Sequence, residues 1–309
     1  MNKAFNYFLY CAIPICMSWP KNCNYSTLIT NKDTSVSLST SQLCAHRTLL
    51  SLDDSLELNC LPTSTQGMEI PVGAQALIDS YPKFIKGFHE GKILFYDGDS
   101  IVYDDGKEKN FETMLDNSDL EDMFYSVYSL NNEKNEPPYL SDAGRSRSES
   151  LFRKMYGDSP KDVRKSLVKI EWFGKTIEFT SINGAAEQLK KVCKELAQYP
   201  ELNRYLESSG TFYWRQVRGA NRLSAHSYGI AIDIGVKYSD YWRWKYPNAK
   251  ETTQIKYTNR IPHKIVDIFH KYGFIWGGAW YHFDTMHFEY RPEILRYCEL
   301  INNCEQSQH

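Results

Sequence analysis

Two hydrophobic periods alternate along the chain from about Met68 onward. In "KILFYDGDSIVYDDGK" (92–107) apolar and polar residues alternate with period two on either side of Asp97-Gly98-Asp99. That pattern predicts a hairpin, followed by a second turn at Asp105-Gly106. "LVKIEWFGKTIEFT" predicts another hairpin, turning at Phe173-Gly174-Lys175. The helical period takes over where Leu189, Val192, Cys193 and Leu196 form one stripe. Asn183 is placed to cap that helix, which runs to about Tyr199 and stops before Pro200. A second helix opens at Pro262, carries Ile265, Ile268, Phe269 and Tyr272 inward, and closes at Gly273. The polar loop "EPPYLSDAGRSRSES" leads into a further short helix. "GIAIDIG" and "MHFEY" alternate as strands. Helices and hairpins in mixed order, with tight turns between strands, predict an α+β fold rather than a parallel doubly wound sheet.

The first stretch breaks both periods. Lys3 precedes a mostly apolar run from Ala4 to Met17, interrupted by Asn6 and Pro14. It is too short and broken to span a bilayer and reads as a signal peptide, residues 1–20, which implies a secreted or periplasmic protein. Residues 21–67 are rich in Ser, Thr and Asn and read as a low-complexity linker. Residues 68–139 form an N-terminal extension of unknown role that contains the first hairpin. No later stretch has the roughly 18 apolar residues of a membrane helix, so no stable span is expected once the signal is removed.

Composition changes this picture little. A formal net charge of −2 leaves no global electrostatic reason to bind nucleic acid. The 8 cysteines contain no C-x-x-C pair, which argues against a thiolate zinc site. In an oxidising compartment Cys298 and Cys304 are the expected disulfide pair, while Cys193 belongs to the helical stripe. The repeated Asp-Gly turns lack the twelve-position ligand pattern of an EF-hand.

The chemistry concentrates in "RLSAHSYGIAIDIG" (222–235) and "FDTMHFEY" (283–290). Strand parity sends Ile230, Ile232 and Ile234 to one face, leaving Asp233 on a face kept clear by Gly229, Ala231 and Gly235. It sends Met286, Phe288 and Tyr290 inward and leaves His287 and Glu289 on an open face. His226, Asp233 and His287 supply the three His/carboxylate ligands that a hydrolytic zinc site takes. Asp284, three residues before His287, is near enough to act as a general base without ligating. Strict extension would point it the wrong way, so a bend at Thr285 is expected.

"SAHSYGIAID" matches the pattern SxHxxGxAxD, and "FDTMHFE" the second motif, of the zinc D-alanyl-D-alanine carboxypeptidases. The sequence resembles that family, which includes vancomycin-resistance D,D-peptidases and L-alanyl-D-glutamate endopeptidases, over residues 140–297. A tail would then occupy 298–309. The resemblance implies a small antiparallel sheet flanked by helices, shared with the hedgehog signalling domain. It implies one Zn2+ per chain held by His226, Asp233 and His287, and an acidic catalytic role for Asp284. It also implies an upstream arginine for the scissile carbonyl; "WRQVRGANR" offers Arg215, Arg218 and Arg222, of which Arg215 is favoured.

Glu289 is read as a partner to a ligating histidine rather than a fourth ligand, since a closed site could not activate water. Arg222, Trp280 and His282 are candidate substrate contacts, with His282 also readable as a solvated loop residue. His263 and His270 read as structural, the latter as an imidazolium suited to a helix C-terminus. Tyr238, Tyr241, Trp242, Trp244 and Tyr246 either line a cleft or form a buried cluster. The function implied is zinc-dependent hydrolysis of peptidoglycan stem peptides. The rivals are a non-catalytic zinc-containing wall-binding or interaction module, and an amidase on the same scaffold. An acid at position 284 speaks against the module, which needs no general base.

Overall fold

A computed structural model describes residues 70–130 and 136–306, with side chains as far as 303. The expected signal peptide and linker lie outside the described residues. The chain enters through α1 (Val72–Ser80), then β1 (Ile85–His89), β2 (Lys92–Phe95), β3 (Ser100–Val102) and α2 (Phe111–Asp116). Next come α3 (Glu149–Tyr156), α4 (Pro160–Arg164), β4 (Leu167–Trp172), β5 (Lys175–Thr180), α5 (Ala185–Leu196) and β6 (Ser208–Gly210). After these lie β7 (Ala231–Ile234), α6 (Trp242–Lys245), α7 (His263–Lys271), β8 (Phe274–Trp276), β9 (His287–Tyr290) and α8 (Pro292–Gln306). Among the described residues these strands form three antiparallel sheets: β1-β2-β3, β4-β5, and the four-stranded β6-β7-β9-β8. The fold is α+β.

Both hairpins form where the pattern puts them. The β4–β5 turn needs only two residues, because Lys175 already pairs with Trp172. Phe173 (φ 42°) and Gly174 (φ 81°) both take positive φ, which matches the strand twist. Helix α7 buries Ile265, Val266, Ile268 and Phe269 against the central sheet, where the Phe269 ring stacks on Phe288 with centroids 4.0 Å apart. Ile230, Ile232, Ile234 and Phe288 are fully buried, as the parity predicts, but Met286 is not turned inward with them: it lies in the turn before β9 and lines the cavity beside Asp233.

Several expectations change. Helix α5 starts at Ala185, and Asn183 does not cap it: Asn183 sits at φ 52° and its Nδ2 donates to the Ser80 carbonyl at 2.9 Å. The side chain is drawn off by α1. The helix ends at Leu196, and a 3-10 turn, Pro200–Tyr205, follows. Gly229 (φ 66°) and Gly235 (φ 58°) do not clear a face for Asp233. They are left-handed turn residues whose missing Cβ atoms would strike Leu167 and the Tyr205 carbonyl. The extension is not separate either, since one core runs from Ala74 and Leu77 through Phe152 and Phe288 to Ile294. Helix α8 likewise crosses the expected boundary at 297/298.

That helix also rules out the Cys298–Cys304 bridge. Six residues of helix separate the two Cα atoms by about 9 Å, beyond the roughly 7 Å a disulfide reaches. Cys298 is a free buried thiol whose Sγ donates to the Tyr128 carbonyl.

His270 corrects the imidazolium reading. Burial, with the His263 charge adding to it, lowers its pKa to about 4, and neutral Nε2 accepts from the Tyr128 hydroxyl at 2.7 Å. The unfolded chain, with an ordinary histidine near pH 6.5, takes up a proton that the folded chain refuses between pH 6.5 and 4. Stability from this residue is therefore present above that window and lost as pH falls through it, by at most about 1.4 kcal/mol per pH unit. Denaturant unfolding of the native chain and His270→Gln at pH 7 and pH 4.5 should show their difference shrinking at the lower pH. A pH-independent difference would show that His270 is not held neutral.

Candidate metal centre and active site

Strand register builds the site. Asp233 on β7 pairs directly with His287 on β9, and Ala231 pairs with Glu289. On the opposite face Ile232 and Phe288 enter the core, so neither strand can slip by one residue without burying its polar set. His226 arrives from a 3-10 turn, Ala225–Tyr228, with its own amide donating to the Ser224 hydroxyl that caps the turn. The turn ends at Gly229 and reverses the chain onto β7. This explains how residues seven apart meet: His226 Nε2 is 3.2 Å from Asp233 Oδ1, and His287 Nδ1 is 2.9 Å from the same oxygen. Asp284 enters on a bridge to Tyr241, and a turn at Thr285–Met286 then carries the chain into β9. The expected bend is present, and the Asp284 carbonyl accepts from the His287 amide at 3.1 Å.

The face that parity left open is covered. Glu289 is fully buried, with Oε2 3.4 Å from His287 Nε2 and 3.1 Å from Arg147 Nη2. Its other oxygen accepts from Arg291 Nη1 at 3.1 Å. Arg291 also pairs with Glu293, which accepts from the Tyr81 hydroxyl at 2.7 Å. A chain of buried charge thus runs from His287 to the tyrosine that ends α1.

Burial alone would raise both carboxyls, but their partners prevail. His226 and His287 hold Asp233 far below the usual carboxylate range, and Arg147, His287 and Arg291 do the same for Glu289. Burial also opposes charge on His287, yet its hydrogen bonds to Asp233 and Glu289 raise it to about 10. Asp284 goes the other way. Burial, then repulsion from Asp233, pushes it up to about 7.

His226, Asp233 and His287 each offer one ligand atom, all within 4.8 Å of one another. Nδ1 of His226 donates to the Thr211 carbonyl at 2.6 Å, which leaves the Nε2 lone pair facing the cluster. That Nε2 is buried and, although 3.2 Å from Asp233 Oδ1, is not aligned for a hydrogen bond to it, and the buried Oδ1 of Asp284 makes none either. Orphaned buried polar atoms are uncommon in native structures. Two nitrogens and a carboxylate in this arrangement fit a divalent ion of zinc's ligand preference.

The cluster opens on a cavity of about 300 Å³. Arg215 lines it and is exposed, its guanidinium bonded only to the Gln216 carbonyl at 3.4 Å. Arg222 lines it but is buried and paired with Asp116. Trp280 stands with its ring 5.7 Å from His287 and its Nε1 donating to Ala143. His282 is neither free for substrate through its nitrogens nor solvated: Nδ1 bonds Asp142 Oδ2 at 2.6 Å and Nε2 the Glu251 carbonyl at 2.8 Å. It braces the wall. The aromatic run divides, with Tyr241, Trp242 and Trp244 on the cavity and Tyr238 packed on Tyr205. Sequence reading passed over Arg145 and Arg147, which also line the cavity. The only signal was two arginines at alternate positions in "AGRSRSES", taken as loop polarity.

Residues 218–290 match the family model described as D-alanyl-D-alanine carboxypeptidase. The resemblance carried by the two motifs therefore holds for the segment that contains them, under a quarter of the chain, and places it among peptidases. The segment includes His226, Asp233, Asp284, His287 and Glu289, and stops short of Arg215. No curated protein and no solved structure matches the chain.

Replacing Glu289 by Gln removes the one charge that faces His287, Arg147 and Arg291 together. Breaking a buried ion pair from one side costs roughly 3–5 kcal/mol. Denaturant unfolding of Glu289→Gln should show a loss of that size, and a loss near zero would show that the network does not hold this face.

Proposed function

We propose that the chain is a zinc-dependent peptidase that hydrolyses the stem peptide of bacterial peptidoglycan. The bond cut is D-alanyl-D-alanine or L-alanyl-D-glutamate. One observation carries the reading: three ligand-type atoms converge beside the half-buried carboxylate of Asp284, and the buried His226 Nε2 and Asp284 Oδ1 make no hydrogen bond within the protein. Export to the wall that holds this substrate is part of the proposal, motivated by the apolar run after Lys3 that reads as a signal peptide.

His226 Nε2, Asp233 Oδ1 and His287 Nδ1 would hold the ion. Bound there, zinc supplies a Lewis acid that polarises a carbonyl and makes water acidic near neutral pH. The protein's own groups do the rest. Thr211 keeps the His226 proton on Nδ1, and Glu289 braces His287 from behind. Asp284, beside the three ligands with its Oδ1 unused by the protein, accepts a proton from the attacking water and returns it to the leaving amine. Arg215, bearing no carboxylate partner, is available to the developing oxyanion. Trp280, Met286 and Tyr241 narrow the cavity around the reacting atoms.

Two measurements test this reading. Incubated with defined muropeptides, the zinc-loaded chain should release D-alanine or cut between L-alanine and D-glutamate, as read by mass. Cleavage of neither bond would remove the stem peptide as substrate, and cleavage at the sugar–peptide amide would favour the amidase. In the second, Asp284→Asn should keep stoichiometric zinc by elemental analysis while turnover falls about 10²–10⁴-fold. Full activity in that variant would end the general-base assignment, and loss of zinc would make Asp284 a ligand.

A further inference from the structure

The cavity beside the cluster carries more positive charge than the mechanism uses. Arg145, Arg147, Arg215, Arg218 and Arg222 all line it, in a chain of net charge −2. Arg145 is satisfied by Asp142 at 2.6 Å and Glu251 at 3.0 Å, and Arg147 by Glu289. Arg222 is left short. It is 5% exposed, pairs through Nη1 with Asp116, and its buried Nε has no hydrogen-bond partner. Burial, with Arg145 and Arg147 repelling it, lowers its pKa to about 10 in spite of Asp116. A buried guanidinium with an unused donor, facing a cavity and crowded by like charge, gains most from a planar anion.

We propose that Arg222, backed by Arg145 and Arg147, forms a subsite for a carboxylate of the peptide substrate, on the same cavity as His226, Asp233 and His287. The inference rests on the peptidase reading and adds the substrate's charge to it. Arg215 is left to the carbonyl oxygen, so the two arginine roles are separate. In a stem peptide the carboxylate has two sources. One is the C-terminus of D-alanyl-D-alanine, and the other is the α-carboxylate of a D-glutamate linked through its side chain. Both offer Arg222 the same group.

Calorimetric binding to the full-length, zinc-loaded Asp284→Asn chain tests it with two matched pairs of peptides. One pair is an acyl-D-alanyl-D-alanine acid and its C-terminal amide. The other is an L-alanyl-D-glutamate peptide with its α-carboxylate free or amidated. In one pair the acid should bind roughly tenfold or more tighter than the amide, and that pair identifies the carboxylate read. Adding Arg222→Gln should bring the ratio close to one, and Arg222→Lys should restore part of it. Acids binding no better than amides would overturn the subsite without recourse to any Arg222 variant. A ratio that survives Arg222→Gln would overturn its assignment to Arg222. A ratio that depends on Arg222, found with a native chain that cleaves none of the four peptides, would keep the subsite and remove the peptidase reading.

Discussion

The antiparallel pairing of β7 with β9 is the constraint on which the rest of the site depends. It sets Asp233 opposite His287 on one face and Ile232 opposite Phe288 on the other. The back face is locked by the stack of Phe288 on Phe269 of α7. A shift of one residue would turn Ile232 and Phe288 to the cavity and drive the aspartate and histidine into the core. Hydrophobic packing behind the sheet therefore fixes polar geometry in front of it. The same parity puts Glu289 behind His287, so one strand of four residues supplies both a ligand-type side chain and its brace.

The brace reaches further than the sheet. Arg147, Glu289, Arg291 and Glu293 are buried together, and Tyr81 closes the line at the end of α1. Burying these ions is costly unless each finds its partners. The Arg291 guanidinium also lies 5.0 Å over the Phe152 ring, which offsets part of that cost. The residues before 140 thereby gain a structural role. They supply Tyr81 to the network and Asp116 to Arg222, so the extension is part of what shapes the active face.

Much of this was legible because it depends on local period. The two hairpins, the α7 stripe, the parity of β7 and β9 and the turn before His287 all follow from spacing within a dozen residues. The four residues at the centre, His226, Asp233, Asp284 and His287, lie in two short motifs with specific patterns. What sequence did not disclose is long-range. Nothing near Asn183 says that Ser80 will claim its amide. Nothing in "AGRSRSES" says that its second arginine meets Glu289, 142 residues on. His282 looked like a loop residue because Asp142 and Glu251, which bury it, are far away in the chain. Cys298 and Cys304 failed as a pair for the opposite reason: a local feature decides it, because one continuous helix runs through both to Gln306.

The central claim is that His226, Asp233 and His287 hold one zinc ion. X-ray absorption at the zinc edge of the purified native chain tests it most directly. The account predicts two imidazole nitrogens and carboxylate or water oxygen, all at about 2.0–2.2 Å, with no sulfur. Sulfur scattering near 2.3 Å, fewer than two imidazoles, or no retained zinc would contradict it.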